Sequence, residues 1–259
     1  MVVADLHAHT TNSDGEMTLD EVAPAARRAG VSVVAVTDHD RLHPGLDAPV
    51  TERGDVTVVR GIELRVESPA GRVDLLGYGV RETPALADLV EYLQRDRVER
   101  GRKMVAKVEA ELGVNLDVTV EPGFGRPDVA RAVVAATDYE FGEVFEELIH
   151  DGGPCYVARD IPEFDEGREV LAGACSLVGL AHPFRYEDPE AALSLTADLD
   201  CVELYYPYDF DPDISPIQDA VDDHDLLATG GSDAHDHRLG RAGLDRAEWD
   251  RVRARLPDP

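Results

Sequence analysis

Lysine is almost missing from this chain of 259 residues: Lys103 and Lys107 are the only two, and 25 basic residues face 53 acidic ones for a net charge of −28. Such acidity excludes stable binding to DNA and steering toward long nucleic-acid tracts. Like-charge repulsion at this level strains a compact state at low salt. At about 1 M salt the Debye length shrinks to ~3 Å and the repulsion is screened, so the composition points to a halophilic protein in a salt-rich cytoplasm. Disorder is excluded, because 43% of the residues are hydrophobic and fall in strand-like runs. Cysteine is scarce as well. Cys155, Cys175 and Cys201 are odd in number and far apart, which excludes a disulfide framework and a Cys-rich zinc site. No run of 18 apolar residues occurs and the start lacks an export signal, so a membrane location is excluded and a cytoplasmic one expected.

What is present is a repeated β-then-α pattern. β-Branched runs at 2–7, 31–37, 56–66, 72–80, 177–182, 201–206 and 226–230 alternate with helical patterns, the signature of βα units around a parallel sheet or barrel. The first helix is signalled by a capping box, Thr18 with Glu21, and by Leu19, Val22, Ala23 and Ala26 on one face before Gly30. Residues 84–158 read differently. They hold a long amphipathic pattern from Pro84 to Gly113 and two shorter helices near 127–137 and 139–150. The expected organisation is a barrel from 1–83 and 159–259 with an inserted helical subdomain at 84–158.

The chemistry falls at the strand ends. His7 and His9 close the first strand and, being two residues apart, point to the same side, where two imidazoles can grip one ion. Asp14 follows in the next loop, Asp38-His39-Asp40 ends the second strand, and Glu63 lies in the third. His182 ends a later strand and Ser232-Asp233-Ala234-His235 the last, so five of the nine histidines sit at strand ends. In a barrel those ends converge on one mouth, where catalytic side chains gather. Ions sharing a carboxylate acidify a bound water and clamp phosphoryl oxygens, which suits phosphate-ester hydrolysis. A centre bridged by carbamoylated lysine is excluded, since both lysines lie in the inserted region, and no GxSxG elbow is present.

The motifs DLHAHT-TNSDG (5–15), TDHD (37–40), GIE (61–63), RVDLLGYG (72–79), GRPDVARAV (125–133), AHPFR (181–185) and GGSDAH (230–235) resemble the polymerase and histidinol phosphatase (PHP) family. The match is to its stand-alone branch of metal-dependent phosphoesterases, which includes nucleoside 3′,5′-bisphosphate phosphatases and 5′→3′ exoribonucleases. The resemblance implies a distorted (β/α)7 barrel with an inserted helical segment and two or three divalent ions, Mn, Zn, Fe or Mg. Carried over by motif, one ion takes His7, His9, Glu63 and Asp233; a second takes Glu63, position 74 and His182; a third takes Asp14, His39 and His235. Two positions depart from the pattern, with Asp74 and Asp128 standing where histidine is usual. A carboxylate at 74 is a hard ligand favouring Mn²⁺ or Mg²⁺ over Zn²⁺. The alternatives are a weakened or empty second site.

Asp128 is assigned to substrate, together with Arg126 and Arg185, whose forks match phosphate geometry, and Arg102 in the basic run 95–107. The other reading of that run is a salt-bridged helix face. Tyr205, Tyr206 and Tyr208 are candidates for stacking on a base or for core packing. Asp40 and His237 are the candidates for proton transfer. The expected activity is metal-dependent hydrolysis of a small phosphorylated compound, a nucleoside bisphosphate or the 5′ end of short RNA. The alternatives are histidinol-phosphate phosphatase and a silent metal- or nucleotide-binding module.

Overall fold

The computed structural model describes all residues, Met1–Pro259. The chain divides into two compact units, Met1–Asp88 with Ile161–Pro259, and Leu89–Asp160. No helix is long and apolar enough to cross a membrane.

The first unit is built on one sheet. Its strands are β1 (Ala4–Ala8), β2 (Val33–Val36), β3 (Val50–Arg53), β4 (Val56–Ser68), β5 (Gly71–Tyr78), β6 (Leu177–Leu180), β7 (Cys201–Tyr205) and β8 (Leu227–Gly230). Seven follow the order β1-β2-β4-β5-β6-β7-β8, and β3 pairs with β4 beside this path. The sheet is barrel-shaped and nearly closes: His9 N–H donates to Ala234 O at 2.9 Å, joining the end of β1 to the segment after β8. Gly231 makes that approach possible, because a Cβ there would lie 2.3 Å from the His7 nitrogen. The Gly230-Gly231 pair thus allows close packing of backbones rather than a positive-φ turn.

The expected distorted (β/α)7 barrel forms, with one of its seven strands departing from parallel pairing. β1, β2 and β4 run parallel, as do β6, β7 and β8, but β5 is antiparallel to both β4 and β6. Only Pro69 and Ala70 separate β4 from β5, and a link that short can join antiparallel strands but cannot make a crossover. Strand β3, antiparallel to β4, went unforeseen: Val50-Thr51-Glu52-Arg53 is too short and polar to show an apolar run. β4 is long because it serves three neighbours, pairing with β3 through 56–59, with β2 through 57–60 and with β5 through 61–68. At the changeover Gly61 packs so tightly that a Cβ would meet the Thr37 methyl at 2.8 Å and Gly77 O at 2.9 Å.

Helix α1 (Leu19–Ala29) forms as its caps predict, with Thr18 and Glu21 reciprocally bonded and Gly30 in the left-handed region at φ 73°. Its buried Leu19, Val22, Ala23 and Ala26 pack with Val34 and Val36 of β2. On the other side of the sheet, Leu6, Ala35, Leu76 and Tyr78 form a core with Trp249 and Val252 of the C-terminal helix Arg246–Arg253.

Helix α2 (Pro84–Leu112) begins in the first unit and continues into the second. The second unit is helical, with α3 (Arg126–Ala136) and a helical stretch over 141–149. Its core is Met104, Val108, Phe124, Val129, Val133, Val144 and Ile149. All three cysteines are free; Cys155 and Cys201 are buried and Cys175 is half-buried.

Candidate metal centre

Parallel strands carry their C-terminal ends to one rim, and side-chain alternation decides which residues point inward there. His7 and His9, both fully buried, flank Ala8 on β1 and face Glu63 of β4. His7 Nε2 lies 3.5 Å and His9 Nε2 3.3 Å from Glu63 Oε2, and they lie 3.4 and 3.1 Å from Asp233 Oδ1. His39, just past β2, brings Nδ1 to 2.8 Å from Glu63 Oε2, and His182, just past β6, brings Nε2 to 3.0 Å from Glu63 Oε1. His235 Nε2 lies 3.3 Å and His39 Nε2 3.8 Å from the Asp14 carboxylate.

These contacts resolve into three groups of converging ligand atoms: His7, His9, Glu63 and Asp233; His9, Asp14, His39 and His235; and Glu63, Asp74 and His182. Glu63 belongs to the first and third. His9 joins the second group as well as the first, which motif reasoning did not anticipate.

Backbone strain marks the same place. Asp40, His182 and Asp233 have φ of 53°, 28° and 48°, a region that non-glycine residues enter at a cost. Each lies just beyond a strand end, where the chain must turn sharply to aim a side chain into the rim.

The electrostatics fit a cation. His7 Nε2 and His9 Nε2 are buried and make no hydrogen bond, although carboxylate oxygens stand within 3.5 Å. Carboxylates and imidazoles crowded this closely away from water need a positive charge as their common partner. Burial disfavours charge on His7, but Glu203, Asp233 and Glu63 outweigh it and hold its pKa well above the usual imidazole value. Burial pushes His9 down, helped by His235 and His39. Glu63 and Asp233 resist burial because His39 and His7 on one, and His7 and His9 on the other, hold both well below the ordinary carboxylate range. Mixed imidazole and carboxylate donors suit divalent transition ions.

A second layer, which sequence reasoning missed, orients these ligands. Glu203, fully buried in β7, accepts from His7 Nδ1 at 3.1 Å and from His182 N–H at 2.8 Å. That bond leaves the Nε2 lone pair of His7 facing the site. The signal was a lone acid in the apolar run Cys201-Val202-Glu203-Leu204. Asp5 accepts from Ser232 N–H and Oγ and from Gly240 N–H, anchoring the segment that carries Asp233. Burial pushes the Asp5 carboxyl up against the pull of those bonds. Asp38 gathers Thr10 N–H, Asn12 Nδ2 and Ser13 Oγ, shaping the loop that presents Asp14. Glu203→Gln keeps the volume but loses the charge that holds His7, and it is expected to weaken metal affinity or turnover about 10–100-fold. Metal titration of the variant beside the parent checks this.

The remaining candidates are dispersed. Asp40 is buried, with Oδ1 accepting from Arg65 N–H at 3.1 Å. His237 is exposed, 3.6 Å from Glu21 at the start of α1. Arg185 NH1 donates to Asp233 Oδ2 at 2.9 Å and to the Tyr206 hydroxyl at 3.1 Å, and Tyr206 donates to the same Asp233 oxygen at 2.9 Å. Burial and Asp233 push the Tyr206 hydroxyl up, so it remains a donor.

Arg126, Asp128 and Arg102 belong to the helical unit. There Arg126 pairs with Asp151 at 2.8 Å, Asp128 accepts from Gly125 N–H at the start of α3 and pairs with Arg131, and Arg102 is exposed on α2.

The PHP domain family profile matches residues 5–176. A 3′,5′-nucleoside bisphosphate phosphatase of Chromobacterium violaceum is 27% identical over 291 aligned residues, covering 100% of this chain and 99% of that protein. A phosphoribosyl 1,2-cyclic phosphate 1,2-diphosphodiesterase of Eggerthella lenta is 30% identical over 248 residues, covering 90% and 94%. A solved Bifidobacterium adolescentis chain assigned to the metal-dependent phosphoesterases superposes with a TM-score of 0.81 at 23% identity, covering 98% of this chain and 96% of its own.

Proposed function

Because this chain belongs to the PHP domain family and is a hydrolase of phosphate esters, we propose that its substrate is a nucleotide: a nucleoside bisphosphate or the 5′ end of a short RNA. The observation that carries this reading is a cleft of about 460 Å³ at the metal centre, lined by Asp233 and His235 together with Phe184, Tyr206, Tyr208 and Phe210. The rings cluster about Tyr208, tilted to it, with centroids 5.6 Å away for Phe184, 4.6 Å for Tyr206 and 5.5 Å for Phe210. Phe210 is 59% exposed, so its ring is accessible to a planar partner. Arg185 and Arg241 line the same cleft. A ligand that carries both phosphate and a planar ring matches this mixed lining, and base stacking on such rings is sequence-tolerant.

Divalent ions held by the His and carboxylate groups, with Mn²⁺, Fe²⁺, Zn²⁺ and Mg²⁺ as candidates, supply an acidified water and fix phosphoryl oxygens. The protein's own part is positioning. Glu203 fixes the His7 tautomer, Tyr206 and Arg185 tie down one oxygen of Asp233, and the other oxygen faces His7 and His9. Arg185 lies over the Tyr206 ring at 5.9 Å and reaches Asp233, so a guanidinium stands where metal ligand and aromatic cluster meet, available to a substrate phosphate. Asp40, buried beside Glu63, is the carboxylate proposed to move protons; it accepts from Arg65 N–H and donates its own N–H to Glu63 O at 2.8 Å.

The test is a Mn²⁺-loaded assay over a nucleoside 3′,5′-bisphosphate, a 5′-phosphorylated short RNA, a phosphoribosyl 1,2-cyclic phosphate, histidinol phosphate and glycerol phosphate. A nucleotide is expected to give the highest kcat/KM. Tyr208→Ala should cost it about 1–3 kcal/mol, about 5–150-fold, and leave glycerol phosphate unchanged. Faster turnover of histidinol phosphate or the cyclic phosphate than of every nucleotide would overturn the substrate class. No turnover of any ester would leave only a binding module.

A further inference from the structure

The three ligand groups are not alike. In the first, His7 Nε2 and His9 Nε2 are buried and make no hydrogen bond. In the group of Glu63, Asp74 and His182, both oxygens of Asp74 are already engaged. Arg65 Nε donates to Asp74 Oδ1 at 2.7 Å, Arg65 NH2 donates to Asp74 Oδ2 at 2.5 Å, and His182 Nε2 shares a hydrogen bond with Glu63 Oε1 at 3.0 Å. Asp74 is buried, and its N–H donates to the Tyr186 hydroxyl at 2.9 Å. This pairing follows from the hairpin: the antiparallel register sets Arg65 of β4 directly opposite Asp74 of β5, so the two side chains emerge on the same face as cross-strand partners.

We propose that Arg65 is the built-in cation of this third group, so that the centre binds two divalent ions rather than three. A bidentate guanidinium neutralises Asp74 in the position where an ion would need both a free carboxylate and low positive potential. An ion entering there would displace a buried pair or sit within a few ångströms of a fixed positive charge, and either raises its energy. Arg65 also shares the β4 face of Glu63, two residues away, so its charge faces the ions held by the other two groups. Its side chain stays one-third exposed. The guanidinium therefore stands ready to meet a phosphoryl oxygen from the side where a third ion would have met it. The inference rests on the metal-centre reading above and deepens it.

Anomalous diffraction at the Mn edge, with crystals grown in MnCl₂ and molar KCl, counts ions at the cluster apart from those loosely held by surface carboxylates. Two peaks are expected in the parent, none of them between Glu63, Asp74 and His182. A peak between Glu63, Asp74 and His182 would overturn the inference while leaving the metal centre standing. No peak at all would sink the metal-centre reading itself. Arg65→Met removes the charge and retains the stem, and it is expected to raise the count from two to three. Arg65→Lys keeps the charge and should stay at two. A folded Arg65→Met that remains at two would overturn the proposal. If that variant does not fold, the parent count alone decides.

Discussion

Glu63→Gln is expected to bring phosphatase activity to background and to abolish the thermal stabilisation that Mn²⁺ confers on the parent. Its carboxylate is the one group within 3.5 Å of His7, His9, His39 and His182 together, so no other single ligand ties so much of the cluster. The amide retains shape and one acceptor but loses the negative charge, and four buried or half-buried imidazoles then face an ion with less to hold it. The expected size follows from linkage. An ion present at a thousand times its Kd stabilises the native state by about 4 kcal/mol. For a chain of this length each kcal/mol moves Tm by about 2–4 °C. The parent should therefore melt on the order of 10 °C higher with Mn²⁺ than with a chelator, and Glu63→Gln should melt alike in both. Scanning calorimetry with a parallel activity assay reads this directly. A parent whose Tm ignores Mn²⁺, or a Glu63→Gln enzyme with parental turnover, contradicts the assignment.

Raising KCl from 0.1 M to 2 M is expected to stabilise the fold strongly, because the net charge of −28 repels itself and salt shortens the range of that repulsion. Ion pairing at the surface does not do the same job. Arg27–Asp55, Arg53–Asp20, Arg238–Asp236 and Arg253–Asp258 are mostly exposed pairs, and such pairs contribute about 0–1 kcal/mol each. With 25 basic residues against 53 acidic ones, most carboxylates have no such partner to find. A gain of a few kcal/mol would appear as a rise on the order of 10 °C in Tm. The sign is specific: a protein held together by its surface pairs would lose stability as salt rises. Measuring with chelator present separates this effect from metal binding. A Tm that is flat or falling with KCl would remove the salt-adapted reading.

Much of the site could be read from the chain because its signals are local. Alternation along β1 puts His7 and His9 on one side whatever the rest of the fold does, and the caps of α1 are satisfied by residues three apart. The clustering of histidines and acids at strand ends identified Asp14, His39, Glu63, His182, Asp233 and His235, all of which the structure brings into the ligand groups.

Other features depended on neighbours distant in sequence. Glu203 and Asp5 acquire their roles only when β7 lies beneath His7 and His182, and when β1 meets the segment after β8. The fate of Asp74 illustrates the boundary between the two kinds of information. Its departure from histidine is visible in the sequence, yet its partner is not, because local pattern does not report the register between strands. The two-residue link at Pro69-Ala70 makes β5 antiparallel and opposes residue 74 to residue 65. By itself, then, the sequence determined which residues could bind an ion, since that depends on side-chain chemistry and strand period. Only the tertiary structure decided which of them face one another with lone pairs unmet and which are already neutralised by an arginine, since pairing across strands is set by register and closure.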